Sequence, residues 1–232
     1  MKSLVIIPAF NEEKSIDRVL HSIKRWSPEV DICVVNDGST DGTSRVAKAT
    51  GLAHVVDLPV NLGIGGAVQT GYLYAYQNHY DIAIQIDADG QHDPADLRNV
   101  IETVASGEAD CCVGSRFVEH TEYIPSFFRG AGIRFFSWMI RMTVGKRIFD
   151  PTSGFRAVNR QVIEVFANYY PDDYPEVEAL VLLSRKGFIT KEISVKMQTR
   201  AEGKSSITPL KSIYYMIKVS LAVVMTRIRN VS

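Results

Sequence analysis

The sequence predicts an α/β fold: a Rossmann-like, mainly parallel central sheet with helices on both faces, followed by a C-terminal amphipathic helix. Two observations carry the sheet. Short β-branched runs alternate with helical patterns through the first half of the chain, the βαβ rhythm of a parallel sheet. The runs are also apolar almost without interruption, as in Leu4-Val5-Ile6-Ile7, which suits strands covered on both faces. A third observation concerns function. In such sheets ligands bind beyond the carboxyl ends of the strands, and here several of those ends are polar and rich in glycine.

The elements follow in order. Leu4–Ile7 reads as the first strand and runs into Pro8-Ala9-Phe10-Asn11-Glu12-Glu13. Ile32–Val35 reads as the second and runs into Asn36-Asp37-Gly38-Ser39-Thr40-Asp41-Gly42. His54–Asp57 is the third, after which Asn61-Leu62-Gly63-Ile64-Gly65-Gly66-Ala67 opens a helix. Ile82–Ile86 leads to Asp87-Ala88-Asp89-Gly90-Gln91, and Cys111–Val113 leads to Gly114-Ser115-Arg116. Beyond Val113 the pattern changes to a loop over Asp150–Gly154, further helices and a last strand over Thr190–Val195. Helical spacing then returns through Leu210, Ile213, Ile217, Leu221, Val224 and Ile228.

Bulk properties exclude several classes. With 232 residues the chain suits one large α/β domain. Its 26 basic and 26 acidic residues cancel, so no bulk field points to nucleic acid. The three cysteines are an odd count with Cys111 and Cys112 adjacent, and Met1-Lys2-Ser3 leads directly into a strand with no secretory pattern. Together these point to a reducing cytosol. No run reaches the roughly 18 apolar residues of a membrane span.

Asp87 and Asp89 place two carboxylates within three residues directly after a buried strand. At ~4 Å two such charges repel by about 1 kcal/mol in water and about 4 near a protein surface. A divalent cation removes the conflict, and Mg²⁺ prefers one or two carboxylates together with substrate phosphates. Gln91 would add a neutral oxygen ligand or hold a bound water. The plainer reading is a solvated turn in which Asp89 caps the helix after Pro94.

The motifs Pro8-Ala9-Phe10-Asn11-Glu12, Asn36-Asp37-Gly38-Ser39-Thr40-Asp41, Asn61-x-Gly63 and Asp87-Ala88-Asp89-Gly90-Gln91 occur in that order. The chain thereby resembles the family 2 inverting glycosyltransferases, in the branch of dolichol-phosphate-mannose synthase and bacterial polyprenyl-phosphate sugar transferases. Gly114-Ser115-Arg116 and Thr199-Arg200-x-x-Gly203-Lys204-Ser205 extend the resemblance over roughly residues 1–210. It implies a GT-A fold over residues 1–206, with a nucleotide-sugar half (about 1–115) and an acceptor half (about 116–206) on one continuous sheet. Residues 207–232 form the appended helix.

The resemblance also implies roles. Pro8, Ala9 and Glu12 line the nucleoside pocket and Asp37 faces the base, although Asp37 equally suits an Asx turn serving its own backbone. Asp87, Ala88 and Asp89 border the nucleotide sugar, with Asp87, Asp89 and Gln91 around Mg²⁺ or Mn²⁺. Gly65, with Gly63 and Gly66, resembles a phosphate cradle at a helix N-terminus; tight helix–sheet packing accounts for these glycines equally well. Arg116, Arg129 and Arg200 meet the acceptor phosphate, whose approach to an anionic donor requires cations. Asp89, Arg116 and Arg200 carry catalysis. A phosphate monoester, with its second pKa near ~6, needs no general base to become a nucleophile. A UDP-sugar is favoured over GDP-mannose as donor, on resemblance to bacterial relatives.

Other readings make different demands. A transferase acting on a sugar hydroxyl needs a base, and Asp172, Asp173, Glu176 and Glu178 lie in the appropriate half. A sugar nucleotidyltransferase would carry a basic Gly-rich loop where Pro8-Ala9-Phe10-Asn11-Glu12 stands. A non-catalytic nucleotide-sugar binding protein would have no need of Asp87 and Asp89. Tyr123–Phe149 holds five basic residues, no acidic one and a series of aromatics, and Ile207–Val231 is interrupted by Lys211, Lys218, Arg227 and Arg229. Both suit peripheral attachment to the cytoplasmic face of a membrane, supplemented by a small membrane-anchoring partner.

Overall fold

A computed structural model describes residues 1–118, 127–145, 147–172 and 175–196. Lys146, Asp173, Arg200, the motif around Arg200 and the 207–232 segment lie outside the described residues. The strands are β1 (Ser3–Ala9), β2 (Asp31–Asn36), β3 (His54–Asp57), β4 (Ile82–Gln85), β5 (Cys111–Ser115), β6 (Arg156–Asn159) and β7 (Thr190–Ser194). The helices are α1 (Ile16–Trp26), α2 (Thr43–Ala49), α3 (Gly63–Gln77), α4 (Leu97–Ala105), α5 (Phe127–Val144), α6 (Arg160–Asn168) and α7 (Pro175–Arg185).

The sheet order is β3-β2-β1-β4-β6-β5-β7. Strands β1 to β4 are mutually parallel and β5 pairs β7 in parallel, whereas β6 runs antiparallel to both β4 and β5. Because β6 is reversed, its first residues lie at the same edge as the last residues of β1, β2, β4 and β5. The second half of the chain thus inserts a strand between two strands of the first half. The sequence reading took this region for loop and helix.

Side chains alternate across the pleat. Leu4, Ile6, Cys33, Val35, Ala83, Cys111 and Val158 face a core closed by α3, α5, α6 and α7. Val5, Ile7, Ile32, Val34, Ile84, Cys112 and Ala157 face the opposite core, closed by α1, α2 and α4. The adjacent Cys111 and Cys112 therefore point to opposite sides, and all three cysteines are free and buried. Burial pushes the Cys111 thiol up to about 11 and Cys33 up to about 12, so neither ionises at neutral pH.

Candidate donor and acceptor site at the carboxyl edge of the sheet

Three turns are stitched together where β1 and β2 end. Asn36, Asp37 and Thr43 are buried there. Asp37 N donates to Ala9 O at 2.9 Å, Asn11 N to Ser39 Oγ at 3.0 Å, Thr40 N to Asn11 Oδ1 at 2.9 Å and Glu12 N to Thr43 Oγ1 at 2.8 Å. Pro8 and Ala9 are the buried end of β1. Glu12 accepts from Ser15 Oγ at 2.6 Å, which ties its side chain to the start of α1. Gly38 has φ +65°, and a Cβ there would lie 2.7 Å from Asn61 N. Only glycine lets the second turn approach the third so closely.

Asp37 occupies both carboxylate oxygens with backbone. Leu62 N donates to Oδ1 at 2.7 Å and Gly63 N to Oδ2 at 3.0 Å. These are donors that a helix N-terminus leaves without an intrahelical partner, and a carboxylate there also complements the helix dipole. Asp37 is thus the anion at the α3 N-terminus, bonded to backbone 25 and 26 residues away rather than to that of its own turn. At Gly65 an added Cβ would lie 2.1 Å from Asp172 O and 2.3 Å from Pro171 O, so glycine lets α3 approach the backbone after α6 rather than the sheet.

The turn after β4 carries Asp87 and Asp89. Ala88 is buried among the apolar residues beneath it. Asp89 Oδ1 accepts from Gln91 N at 3.0 Å, which pins the turn, whereas the Pro94 turn is capped by Asp93, whose Oδ1 accepts from Ala95 N at 3.0 Å. Asp89 is therefore not needed as that cap. The Asp87 side chain is 40% exposed and its Oδ2 lies 3.3 Å from Nε2 of the buried His92. Burial opposes ionisation of Asp87, but the hydrogen bond and charge of His92, with the charge of Arg116, outweigh it and hold the carboxyl below its ordinary range. Among the described residues no three His, Cys, Asp or Glu side chains gather as a protein-only metal cage. An ionised Asp87 and a pinned Asp89 fit instead a hard cation that also takes phosphate oxygens.

Arg116 follows β5 and is nearly fully buried. Its Nε and Nη2 meet Asp150 Oδ2 and Oδ1 at 2.5 and 2.6 Å, its backbone N donates to Asp150 Oδ2 at 3.2 Å, and Nη2 donates to Thr152 Oγ1 at 3.1 Å. The planar fork is held by a matching carboxylate. The expected acceptor arginine is thus clamped by Asp150, which lies in the Asp150–Gly154 loop and in none of the motifs.

The turn from Asp150 to Arg156 joins this arginine to the carboxylates. Ser153 Oγ donates to Gly114 O at 2.6 Å. Gly154 lies against Asp87, with an ideal Cβ only 3.0 Å from Asp87 Oδ1. Phe155 packs against His92 at 5.1 Å between ring centroids. Arg156, 1% exposed, donates from Nε to Ser153 O at 2.9 Å and from Nη2 to Pro151 O at 3.0 Å. Arg129 lies in the first turn of α5, beyond Arg116 in the chain.

Of the candidate bases Asp172, Glu176 and Glu178, Glu176 has its carboxyl shifted by the charge of Asp87. Burial raises its carboxyl, Arg156 pulls it down and the charge of Asp87 raises it further. Glu178 instead accepts from Tyr169 Oη at 3.2 Å, and Asp172 meets Gly65 through its backbone. His92, Asp150, Arg156 and Glu176 also line this edge or couple to it, and none belongs to a motif; for Arg156 the sequence signal is a charge inside an apolar neighbourhood, Gly154-Phe155-Arg156-Ala157-Val158.

Residues 4–166 match glycosyl transferase family 2. The polyprenol monophosphomannose synthase of Mycolicibacterium smegmatis is 32% identical over 179 residues, covering 70% of this chain and 63% of that protein. The UDP-N-acetylglucosamine–dolichyl-phosphate N-acetylglucosaminyltransferase of Methanococcus voltae is 26% identical over 247 residues, covering 95% of this chain and 97% of that protein. The solved structure of glucosyl-3-phosphoglycerate synthase from Mycobacterium tuberculosis, in complex with Mn²⁺, uridine-diphosphate and glucosyl-3-phosphoglycerate, has a TM-score of 0.72, covering 97% of this chain and 79% of that one at 21% identity. That likeness establishes a shared GT-A fold. The family match spans β1 to α6 and takes in the stitched turns, the paired carboxylates, Arg116 and the Asp150 turn, and on that ground the chain belongs to glycosyl transferase family 2.

Proposed function

We propose that this enzyme transfers a sugar from a nucleotide-sugar donor, a UDP-sugar in preference to GDP-mannose, to a polyprenyl phosphate at a membrane surface. The observation that carries the reading is one juxtaposition: at a single sheet edge, the turn whose Asp150 and Thr152 hold Arg116 sets Gly154 against Asp87. Carboxylates for a donor-bound cation thus stand beside a guanidinium for an acceptor phosphate. Relatives named for polyprenol and dolichyl phosphate support the lipid.

In this reading Asp87 and Asp89, with Gln91, would hold Mg²⁺ or Mn²⁺. The ion, when bound, supplies Lewis-acid stabilisation of the departing nucleoside diphosphate. Pro8, Ala9, Glu12 and Asp37 form the nucleoside end of the site, Asp37 through the turns it binds together. Arg116, with Arg129 and Arg200, neutralises the acceptor phosphate and aims its oxygen at the anomeric carbon. That oxygen forms the new C–O bond as the bond to the nucleoside diphosphate breaks, from the opposite side, with inversion. It is already anionic at neutral pH, so no side chain has to remove a proton.

In this reading the enzyme attaches to the cytoplasmic face of a membrane, and the exposed side of α5 supports attachment to a membrane surface. Ile133, Phe136, Met139 and Ile140 are buried, whereas Arg134, Phe135, Trp138, Arg141 and Met142 are exposed, with Arg147 and Phe149 exposed beyond the helix. Aromatics mixed with arginine suit the headgroup layer. A small anchoring partner would strengthen it. Among the described residues no helix is long and apolar enough to cross a membrane.

A sugar hydroxyl as acceptor is favoured by one observation: Glu176 is close enough to Asp87 to feel its charge and has a raised carboxyl pKa, as a base for a neutral hydroxyl would require. The deciding experiment offers radiolabelled UDP- and GDP-sugars to the protein with either short-chain polyprenyl phosphates or oligosaccharides, in Mg²⁺ or Mn²⁺. Label entering the lipid phosphate with Glu176→Gln still active supports the first reading. Label entering only oligosaccharide, lost in Glu176→Gln, replaces it with the second.

A further inference from the structure

We propose that Glu192, on the edge strand β7, is a positioning residue for acceptor binding: it fixes the turn that carries Asp150, and Asp150 in turn fixes the orientation of the Arg116 guanidinium. The inference rests on the reading of Arg116 as an acceptor-phosphate contact.

The position of Glu192 calls for an explanation. In β7, Ile193 packs into the core closed by α1, α2 and α4. Glu192 therefore points to the other face, where it lines a small cleft with Arg147, Ile148, Leu180, Ser184, Phe188 and Thr190. Burial pushes the Glu192 carboxyl above its usual range, and the N–H groups of Phe149 and Asp150 pull it back. A half-buried carboxylate here is costly unless it is hydrogen-bonded.

It is hydrogen-bonded through both oxygens. Phe149 N donates to Oε2 at 2.7 Å and Asp150 N to Oε1 at 2.8 Å. Two bonds to successive N–H groups fix the peptide plane between these residues as well as its position. The next link is the carboxylate of Asp150, fully buried, which receives Arg116 N, Nε and Nη2. Parallel pairing of β5 with β7 sets Val113 opposite Glu192 and Ser115 opposite Ser194. Both ends of the chain Glu192–Asp150–Arg116 are thereby anchored to one strand pair. In this reading Arg116 is the one member of it that would meet the acceptor phosphate. Thr152 braces the middle, accepting from Arg116 Nη2 and donating to Asp150 Oδ1 at 3.3 Å.

The test is a binding cycle on the full chain with farnesyl phosphate as the acceptor probe and UDP and GDP as donor-side probes, read by calorimetry. Glu192→Gln keeps the size of the side chain but leaves one of the two N–H groups facing an amide. It should weaken farnesyl phosphate about tenfold and leave nucleotide binding within about twofold. Arg116→Ala should weaken farnesyl phosphate at least as much. The decisive arm is Glu192→Gln combined with Arg116→Ala, which should bind no worse than Arg116→Ala alone, because a residue acting through another adds nothing once that other is gone. Additive losses, or equal losses for farnesyl phosphate and nucleotide, would make Glu192 a general structural residue and overturn the proposal. If Glu192→Gln fails to fold by thermal unfolding, Thr152→Val takes its place in the cycle. A smaller loss for farnesyl phosphate, again absent on the Arg116→Ala background, supports the clamp, and no loss at all overturns it. Arg116→Ala binding farnesyl phosphate as tightly as wild type would remove the acceptor reading of Arg116, and this inference with it. A loss in Arg116→Ala with Glu192→Gln silent would remove the positioning role alone.

Discussion

Asp37 and Arg116 illustrate how far single residues could be read from the sequence. Both belong to motifs, and each has a partner distant in sequence: the α3 N-terminus, within Asn61-x-Gly63, for Asp37, and Asp150, which lies in no motif, for Arg116. A turn sequence displays which side chains are polar and conceals which of them already hold backbone. Asp89 differs, because the helix it was suspected of capping is capped by Asp93. Its Oδ1 accepts from Gln91 N, which shapes the turn. The expected outcome for Asp89→Ala is loss of transferase activity, loss of the Mn²⁺-binding signal in electron paramagnetic resonance, and a melting temperature close to wild type. Chelation should reproduce the activity loss in the unaltered protein. Full activity in excess chelator, or undiminished Mn²⁺ binding by the variant, would remove Asp89 from the metal site.

At the scale of elements, the strands written as apolar runs were legible and β6 was not. Arg156-Ala157-Val158-Asn159 begins and ends with polar residues, and the pattern that marks a buried strand is lost when a guanidinium is one of the buried side chains. The Asp150 turn went unread for the same reason, since its meaning depends on strands that lie far away in sequence. The junction of α2, β2 and β3 offers a test of electrostatics at this scale. Hydrogen bonding from Lys48 first, then from Ser44 and Asn36, lowers the Asp57 carboxyl to about 2, against about 3.9 in an unfolded chain. A depressed carboxyl contributes stability that is present above the unfolded value and is lost as pH falls through the folded one. Asp57 is 40% exposed, so solvent screening keeps that contribution below about 1 kcal/mol. Urea unfolding of wild type and Asp57→Asn should therefore differ at pH 5, and the gap should close between about pH 4 and 2. A gap that widens on acidification would contradict the assignment.

For the whole molecule, the exposed face of α5 is a surface of aromatics and arginines on a protein of zero net charge. Each arginine near an anionic membrane contributes about 1 kcal/mol, fading within a Debye length of roughly 8 Å. Arg134→Ala with Arg141→Ala should reduce sedimentation with phosphatidylserine vesicles, make the remaining binding less sensitive to salt, and spare activity on a water-soluble acceptor. Equal binding to neutral and anionic vesicles, unchanged by the double substitution, would show that this face is not electrostatically docked. The placement of β6 between β4 and β5 has a different consequence. A chain cut after residue 115 would hold β4 and β5 but not the strand that bridges them, leaving unpaired strand edges of the kind that recruit foreign strands. The remainder of the chain carries that missing strand. Expressed apart, the first piece should aggregate; expressed together, the two should find each other by fragment complementation, so that restored catalysis would report their meeting.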